Sequence, residues 1–140
     1  MTTLDSLIRL HRWQLDEQRR AVADLEQLEV KLRGDLRRLD AEQAAEQEAA
    51  RKAPSLNYGY GSYIAALIER RRKLSQSLSE AEQQTAKARD ALAEAFQEAK
   101  RYEIAAAKRV LNQRMQADRL QQHEMDELGA DVHRRRMKRE

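Results

Sequence analysis

The sequence predicts an all-α protein, an antiparallel two-helix coiled-coil hairpin with a longer second helix. Apolar residues recur in alternating steps of three and four along two long segments, and strong helix formers dominate both of them. The only proline, Pro54, lies between these segments together with two of the four glycines. We therefore expect all 140 residues to form a single coiled-coil domain.

The first helix is predicted from about residue 3 to about residue 52. Thr2 and Asp5 have the spacing of a capping box at its start. Steps of four and three from Leu4 then define eleven seam positions, of which eight are apolar. Pro54 ends the helix because proline has no amide hydrogen and disfavours helical geometry in the residue before it. The seam positions are Leu4, Ile8, His11, Leu15, Gln18, Val22, Leu25, Glu29, Leu32, Leu36 and Leu39.

Residues 53–62, named here the hinge segment, collect the residues that interrupt helices. Asn57, Gly59 and Gly61 permit positive backbone φ angles. Ser62 is predicted to cap the second helix through its hydroxyl group. The hinge segment therefore reverses the chain between two antiparallel helices.

Three of the four tyrosines lie in or beside the hinge segment. A turn does not require aromatic rings, so we predict that Tyr58, Tyr60 and Tyr63, together with Leu67, form a partner-binding surface. The alternative is that one or two of the rings fold back and seal the end of the coiled coil.

The second helix is predicted from about residue 63 to about residue 136. Its seam begins at Ile64, and past Phe96 the apolar positions follow two lines. One line continues through Ala99, Tyr102, Ala106 and Val110, and the other through Ile104, Leu111 and Met115. The seam before Phe96 consists of Ile64, Leu67, Arg71, Leu74, Leu78, Ala81, Thr85, Ala88, Leu92 and Ala95.

The difference in helix length predicts an unpaired C-terminal end. Folding at the hinge segment pairs position i with roughly 115 minus i, so Leu4 is expected near Leu111. Residues 112–140, named here the overhang, then lack a partner within the hairpin. Methionine adapts to varied surfaces, which favours a partner-binding role over a solvated helix end with scattered apolar residues. The predicted contacts are Met115, Leu120, Met125, Leu128, Arg134, Arg135 and Arg136, and the overhang also carries Val132 and Met137.

The net charge of +3 is a property of the C-terminal end. Residues 132–140 contain five basic residues and one acidic residue, which leaves the other 131 residues at −1. Nucleic-acid binding would instead favour a basic face along the helices with aromatic or amide groups to contact bases. A nucleic-acid-associated coiled coil that uses the basic end is therefore the less favoured reading.

The sequence gives no basis for an enzyme, a cofactor or a metal site. There is no cysteine, and residues 123–127 differ from a zinc-protease helix because Glu127 replaces the second histidine. Gly59 and Gly61 lack the lysine and hydroxyl residue that follow a phosphate-binding loop. We expect no signal peptide or membrane insertion, and a cytoplasmic location, because no segment is long and apolar enough.

Three segments resemble one protein family. They are Leu-Asp-Ser-Leu-Ile-Arg-Leu-His-Arg-Trp at residues 4–13, Phe-Gln-Glu-Ala-Lys-Arg-Tyr-Glu-Ile at residues 96–104, and Glu-Met-Asp-Glu-Leu-Gly at residues 124–129. The chain is similar over its whole length to the FliJ family, the small coiled-coil component of the bacterial flagellar type III export apparatus.

The resemblance implies a non-enzymatic stalk that assists flagellum assembly and protein transport. It implies that the end formed by the two termini binds the hexameric flagellar export ATPase. Another part of the coiled coil is implied to contact the cytoplasmic domain of the export gate membrane protein, on the cytoplasmic side of the cell membrane at the flagellar base. Export chaperones are further implied partners, and an injectisome stalk protein of the same architecture is the alternative.

Overall fold

The computed structural model describes residues 2–54 and 58–139. It contains two helices, α1 over Thr3–Lys52 and α2 over Tyr60–Arg139, with 50 and 80 residues. No strand occurs in the described ranges. The all-α fold class with a longer second helix is confirmed. Neither helix, over its described residues, is long and apolar enough to cross a membrane.

The start of α1 is a capping box between Thr2 and Asp5. The Asp5 amide donates to the Thr2 hydroxyl at 3.2 Å, and the Thr2 amide donates to the Asp5 carboxylate at 3.1 Å. Hydrogen bonds from the Thr2 backbone amide and, to a lesser extent, from the Thr2 hydroxyl hold the pKa of Asp5 below its ordinary value. These two residues satisfy amides that have no partner inside the helix, so the predicted start is confirmed.

The hinge segment differs from the prediction at its C-terminal end. Gly59 has a φ of 84°, which favours glycine, and its carbonyl accepts a hydrogen bond from the Tyr63 amide at 3.1 Å. The second helix therefore begins at Tyr60, and both Gly61 and Ser62 lie inside it. The expected positive φ at Gly61 and the expected cap at Ser62 are wrong, because the reversal is complete at Gly59. A positive φ was also expected at Asn57, which lies outside the described residues.

Residues Trp13–Phe96 form one of two units in the chain. Among the described residues, three ion pairs join α1 to α2 here: Glu26 with Arg89 at 2.9 Å, Arg33 with Glu82 at 3.2 Å, and Asp40 with Arg71 at 2.8 Å. The partner number falls on α2 as the residue number rises on α1, so the helices are antiparallel. The first two pairs also satisfy the predicted pairing of position i with position 115 minus i.

The core of this unit follows the predicted seams. Every seam position on α1 from Leu15 to Leu39 is buried or half-buried, and the same holds on α2 between Ile64 and Ala95 except at Arg71. Arg71 is exposed because its guanidinium reaches outward to the Asp40 carboxylate. Thr85, at 1% exposure, is the most buried of the described residues, and its hydroxyl donates to the Ala81 carbonyl at 2.8 Å. That bond satisfies the only polar group of the side chain.

Residues Met1–Arg12 and Gln97–Glu140 form the other unit. His11 stacks on Tyr102 with ring centroids 4.4 Å apart, and the Arg12 guanidinium donates to the Glu103 carboxylate at 3.3 Å. Two lines of apolar residues were predicted on the second helix past Phe96. The line through Ala99, Tyr102 and Ala106 faces α1, whereas Ile104, on the other line, is exposed. Every residue from 107 to 139 is exposed, so the described part of the overhang packs against no other segment of this unit.

Candidate partner-binding surfaces

The overhang presents an apolar face on a bare helix. Met125, Leu128 and Val132 follow each other at intervals of three and four residues, which places them on one side of α2. Met115 lies about 80° around the helix from Met125, on the edge of this face. All four side chains are between 44% and 63% exposed. We name Met125, Leu128 and Val132 the overhang face.

Leu120 lies at the other edge of the overhang face from Met115. It lies eight residues before Leu128, which is about 80° around an α-helix and equals the offset of Met115 from Met125. Its side chain is also exposed. Of the four apolar contacts predicted from the sequence, α2 therefore groups Met125 and Leu128 with Val132, and it places Met115 and Leu120 at opposite edges of that face.

The three predicted arginines at the end of α2 differ in their partners. Arg134 donates to Asp131 at 2.7 Å, so its charge is balanced locally. Arg135 and Arg136 make no ion pair with any described residue. The helical spacing places Arg136 near Met125 and Arg135 near Leu128 in angle. Two positive groups therefore extend the overhang face toward the C-terminus.

The histidine of residues 123–127 has a local partner. The His123 Nε2 atom lies 3.2 Å from a Glu127 carboxylate oxygen, at an i, i+4 spacing on the exposed helix. In the described ranges no group of three histidine, cysteine or acidic residues is placed to hold a metal ion.

The three tyrosines near the hinge segment occupy different environments. Tyr58 is fully exposed at 104%, whereas Tyr60 and Tyr63 are half-buried. The Tyr63 hydroxyl donates to the Glu42 carboxylate of α1 at 2.8 Å. Tyr63 thus folds back against the hairpin, and Tyr58 is presented to solvent.

Leu67 belongs to the core and not to the surface. Its side chain is 3% exposed, and it occupies a seam position of α2. The sequence placed Leu67 beside the tyrosines as a contact, but a buried side chain cannot touch a partner without unfolding its surroundings. Its neighbour Ile68, at 57%, is the exposed apolar residue at this level.

Comparison with known proteins identifies the family. The model of the FliJ family, described as flagellar FliJ protein, matches residues 1–138. The chain belongs to the FliJ family. Two curated relatives from Caulobacter vibrioides, strains NA1000 and CB 15, are each called flagellar FliJ protein and are 28% identical over 124 residues. The match covers 89% of this chain and 89% of each relative. No solved structure matches the chain.

A cavity lies beside the hinge segment of this FliJ-family chain. Its volume is about 350 Å³, and it is open to solvent. Residues of the last two turns of α1 form one wall, and the start of α2 forms the other. The lining residues are Glu46, Ala49, Ala50, Ala53, Tyr58, Gly59, Tyr60 and Tyr63. The periodicity of the sequence did not indicate this cavity.

The bond between Tyr63 and Glu42 makes the FliJ-family hairpin sensitive to high pH. The hydrogen bond to Glu42, followed by desolvation, raises the pKa of Tyr63 from 10.0 to about 12. A raised pKa in the folded state favours the neutral hydroxyl. The stabilisation is therefore fully present below pH 10, and it is lost as pH rises through about 12.

Ultraviolet absorbance of the folded protein follows the ionisation of its tyrosines as the pH rises. We expect the Tyr63→Phe variant to lose the ionisation step that occurs at the highest pH. The Glu42→Gln variant is expected to keep the step and move it toward 10.0, because the neutral amide no longer opposes ionisation as the carboxylate does. An unchanged last step in Tyr63→Phe would assign that step to another tyrosine and contradict the prediction.

Proposed function

We propose that this chain is a non-enzymatic, stalk-like coupling factor in flagellar protein export. It binds the hexameric export ATPase through the overhang and the cytoplasmic domain of the membrane export gate through the hinge segment. In this role it assists flagellum assembly and protein transport, works with export chaperones, and acts on the cytoplasmic side of the cell membrane at the flagellar base.

The observation that carries the proposal is the exposed overhang in a chain of the FliJ family. Residues 107–139 remain helical although no described residue among them is buried. Most helices in proteins depend on packing of an apolar face, so the overhang face is a surface suited to a partner. The flagellar name of both relatives supports the flagellar system over the injectisome.

The proposal is tested by deleting the gene in its own bacterium and measuring secretion of flagellar proteins and swimming. Loss of both, with recovery when the full chain is supplied, is the expected result. Pull-down with the purified full chain should then recover the export ATPase. Normal secretion after deletion, with the ATPase absent from the pull-down, would refute a role in flagellar export.

A second prediction concerns the contact at the hinge segment. Tyr58→Ser is expected to weaken binding to the cytoplasmic domain of the export gate, because a fully exposed aromatic ring contributes contact area and little fold stability. Affinity should fall by about tenfold, and the melting temperature should change by less than about 2 °C.

Leu28→Ser provides the matched control for Tyr58→Ser. Leu28 is an exposed apolar residue on α1 that does not line the hinge cavity. Calorimetric titration of the gate domain should give the same affinity for Leu28→Ser as for the unchanged protein. Equal loss in both variants would indicate nonspecific apolar binding, and no loss in Tyr58→Ser would remove Tyr58 from the contact.

A further inference from the structure

The cavity beside the hinge segment combines aromatic rings with one acidic group. Tyr58, Tyr60 and Tyr63 line it together with the Glu46 side chain, and no lysine or arginine is among its described lining residues. Ala49 lies one turn beyond Glu46 on the same side of α1. Its small side chain lines the cavity and occupies little volume.

Glu46 differs from its acidic neighbours on α1 in its lack of a partner. Glu42 accepts the Tyr63 hydroxyl, and Glu48 pairs with Arg51 at 2.9 Å. Among the residues that the structure describes, Glu46 has neither an ion pair nor a hydrogen bond, although its charge acts on the Tyr63 hydroxyl. Its negative charge is therefore available to a group from outside the chain.

The Tyr63 ring is held in place before any ligand arrives. Its hydroxyl is tied to Glu42 at 2.8 Å, and its amide is tied to the Gly59 carbonyl at 3.1 Å. A wall with restricted motion loses less conformational freedom when it binds a ligand than a free side chain would. The cavity thus has one fixed aromatic wall and one carboxylate that has no partner among the described residues.

We propose that this cavity binds the arginine side chain of an extended segment in a partner protein. A guanidinium stacks on aromatic faces and also presents a planar fork of N–H donors that matches a carboxylate. Tyr60 and Tyr63 supply the faces, and Glu46 supplies the acceptor. A volume of about 350 Å³ is near the lower end for ligand sites, which fits a single long side chain.

The competing occupants fit the cavity less well. A lysine ammonium satisfies the charge but offers no planar group to stack on a ring. An apolar side chain contacts the rings and leaves the Glu46 carboxylate without a partner. The identity of the partner rests on the proposed function, because a protein bound at the hinge segment would supply the arginine.

The test is a titration of the full chain with Nα-acetyl-arginine methylamide, followed by NMR signals of the tyrosine rings and of the amides near Glu46. We expect saturable binding in the millimolar range, as for a single side chain. The lysine analogue should bind roughly fivefold more weakly, since it lacks the stacking contact. The leucine analogue should show no saturation at these concentrations.

Two matched variants locate the charge. Glu46→Gln should weaken arginine binding by about tenfold, because the guanidinium loses its carboxylate. Glu48→Gln removes the same charge two residues away, outside the cavity, and should leave affinity unchanged. Both residues are exposed, so both variants should keep their helicity. Equal effects of the two variants, or leucine binding as tight as arginine binding, would overturn the proposal.

The same variants separate the cavity from the proposed function. If the unchanged chain binds the arginine probe but not the export gate domain, the cavity stands and the proposed contact with the gate is wrong. If the gate domain binds the unchanged chain and Glu46→Gln equally well, and the arginine probe does not bind, the cavity proposal is wrong and the proposed function stands.

Discussion

Ending the chain after Leu111 is expected to abolish stimulation of the export ATPase while leaving thermal unfolding of the remaining chain nearly unchanged. The residues removed are exposed throughout their described range, so they contribute little buried area to the fold. They include the whole overhang face, together with Arg135 and Arg136, which make no ion pair with a described residue. ATP hydrolysis by the purified hexamer, with and without each form of the chain, measures the effect.

Two substitutions within the full chain sharpen this prediction. Met125→Ser combined with Leu128→Ser should speed dissociation from the ATPase by about tenfold or more, because both residues lie on the overhang face. Met137→Ser is the matched control, because its side chain is equally exposed and lies about 120° or more around α2 from Met125, Leu128 and Val132. Surface plasmon resonance with the immobilised hexamer gives both rates. Equal effects of the pair and the control would show that the overhang face is not the contact.

The arginines are expected to act on a different step. Changing Arg134, Arg135 and Arg136 to glutamine should slow association and lessen its dependence on salt, since peripheral charges mainly steer encounter.

Full stimulation of the ATPase by the chain that ends at Leu111 would contradict the proposal that this end of the protein acts as a stalk. The overhang would then be a solvated helix without this partner.

Leu67→Ala is expected to lower the free energy of unfolding by about 2 to 4 kcal/mol, because it removes a buried side chain and leaves a cavity. Leu67 is 3% exposed within the Trp13–Phe96 unit. The corresponding fall in melting temperature is roughly 6 to 12 °C for a chain of this length. Circular dichroism during thermal and urea unfolding measures both quantities.

Ile68→Ala is the control for Leu67→Ala, one position along the same helix. Its side chain is 57% exposed, so its loss should change the free energy of unfolding by less than about 0.5 kcal/mol. Similar stability losses at the two positions would contradict the seam assignment of α2. A stable Leu67→Ala variant that lost binding to the gate domain would restore Leu67 as a contact.

The features predicted correctly from sequence are those that depend on local pattern. The seam of α1, the capping box at Thr2 and Asp5, and the end of α1 before Pro54 require only periodicity and backbone chemistry. The antiparallel pairing also follows from the position of the hinge segment. Two ion pairs satisfy the predicted pairing of position i with position 115 minus i: Arg12 with Glu103, and Arg33 with Glu82.

The features that the sequence did not predict depend on how the chain closes at the hinge segment. Gly59 and Gly61 are equally permissive as residue types, and only the three-dimensional turn shows that Gly59 completes the reversal. The bond from Tyr63 to Glu42 joins residues separated by 21 positions and fits no repeat. The cavity near Glu46 arises from the same closure. Leu67 was assigned to the surface by its proximity in sequence to the tyrosines, although its seam position indicated burial.

The two seams differ in side-chain size, and this difference selects the partner of each helix. Between the Glu26–Arg89 and Arg33–Glu82 ion pairs, α1 contributes Glu29 and Leu32, whereas α2 contributes Thr85 and Ala88. Long side chains on one helix are thus matched by short ones on the other. Two copies of α1 would crowd each other at these positions, and two copies of α2 would leave voids, both of which cost stability. The unequal volumes therefore discriminate against pairing of identical helices from neighbouring molecules.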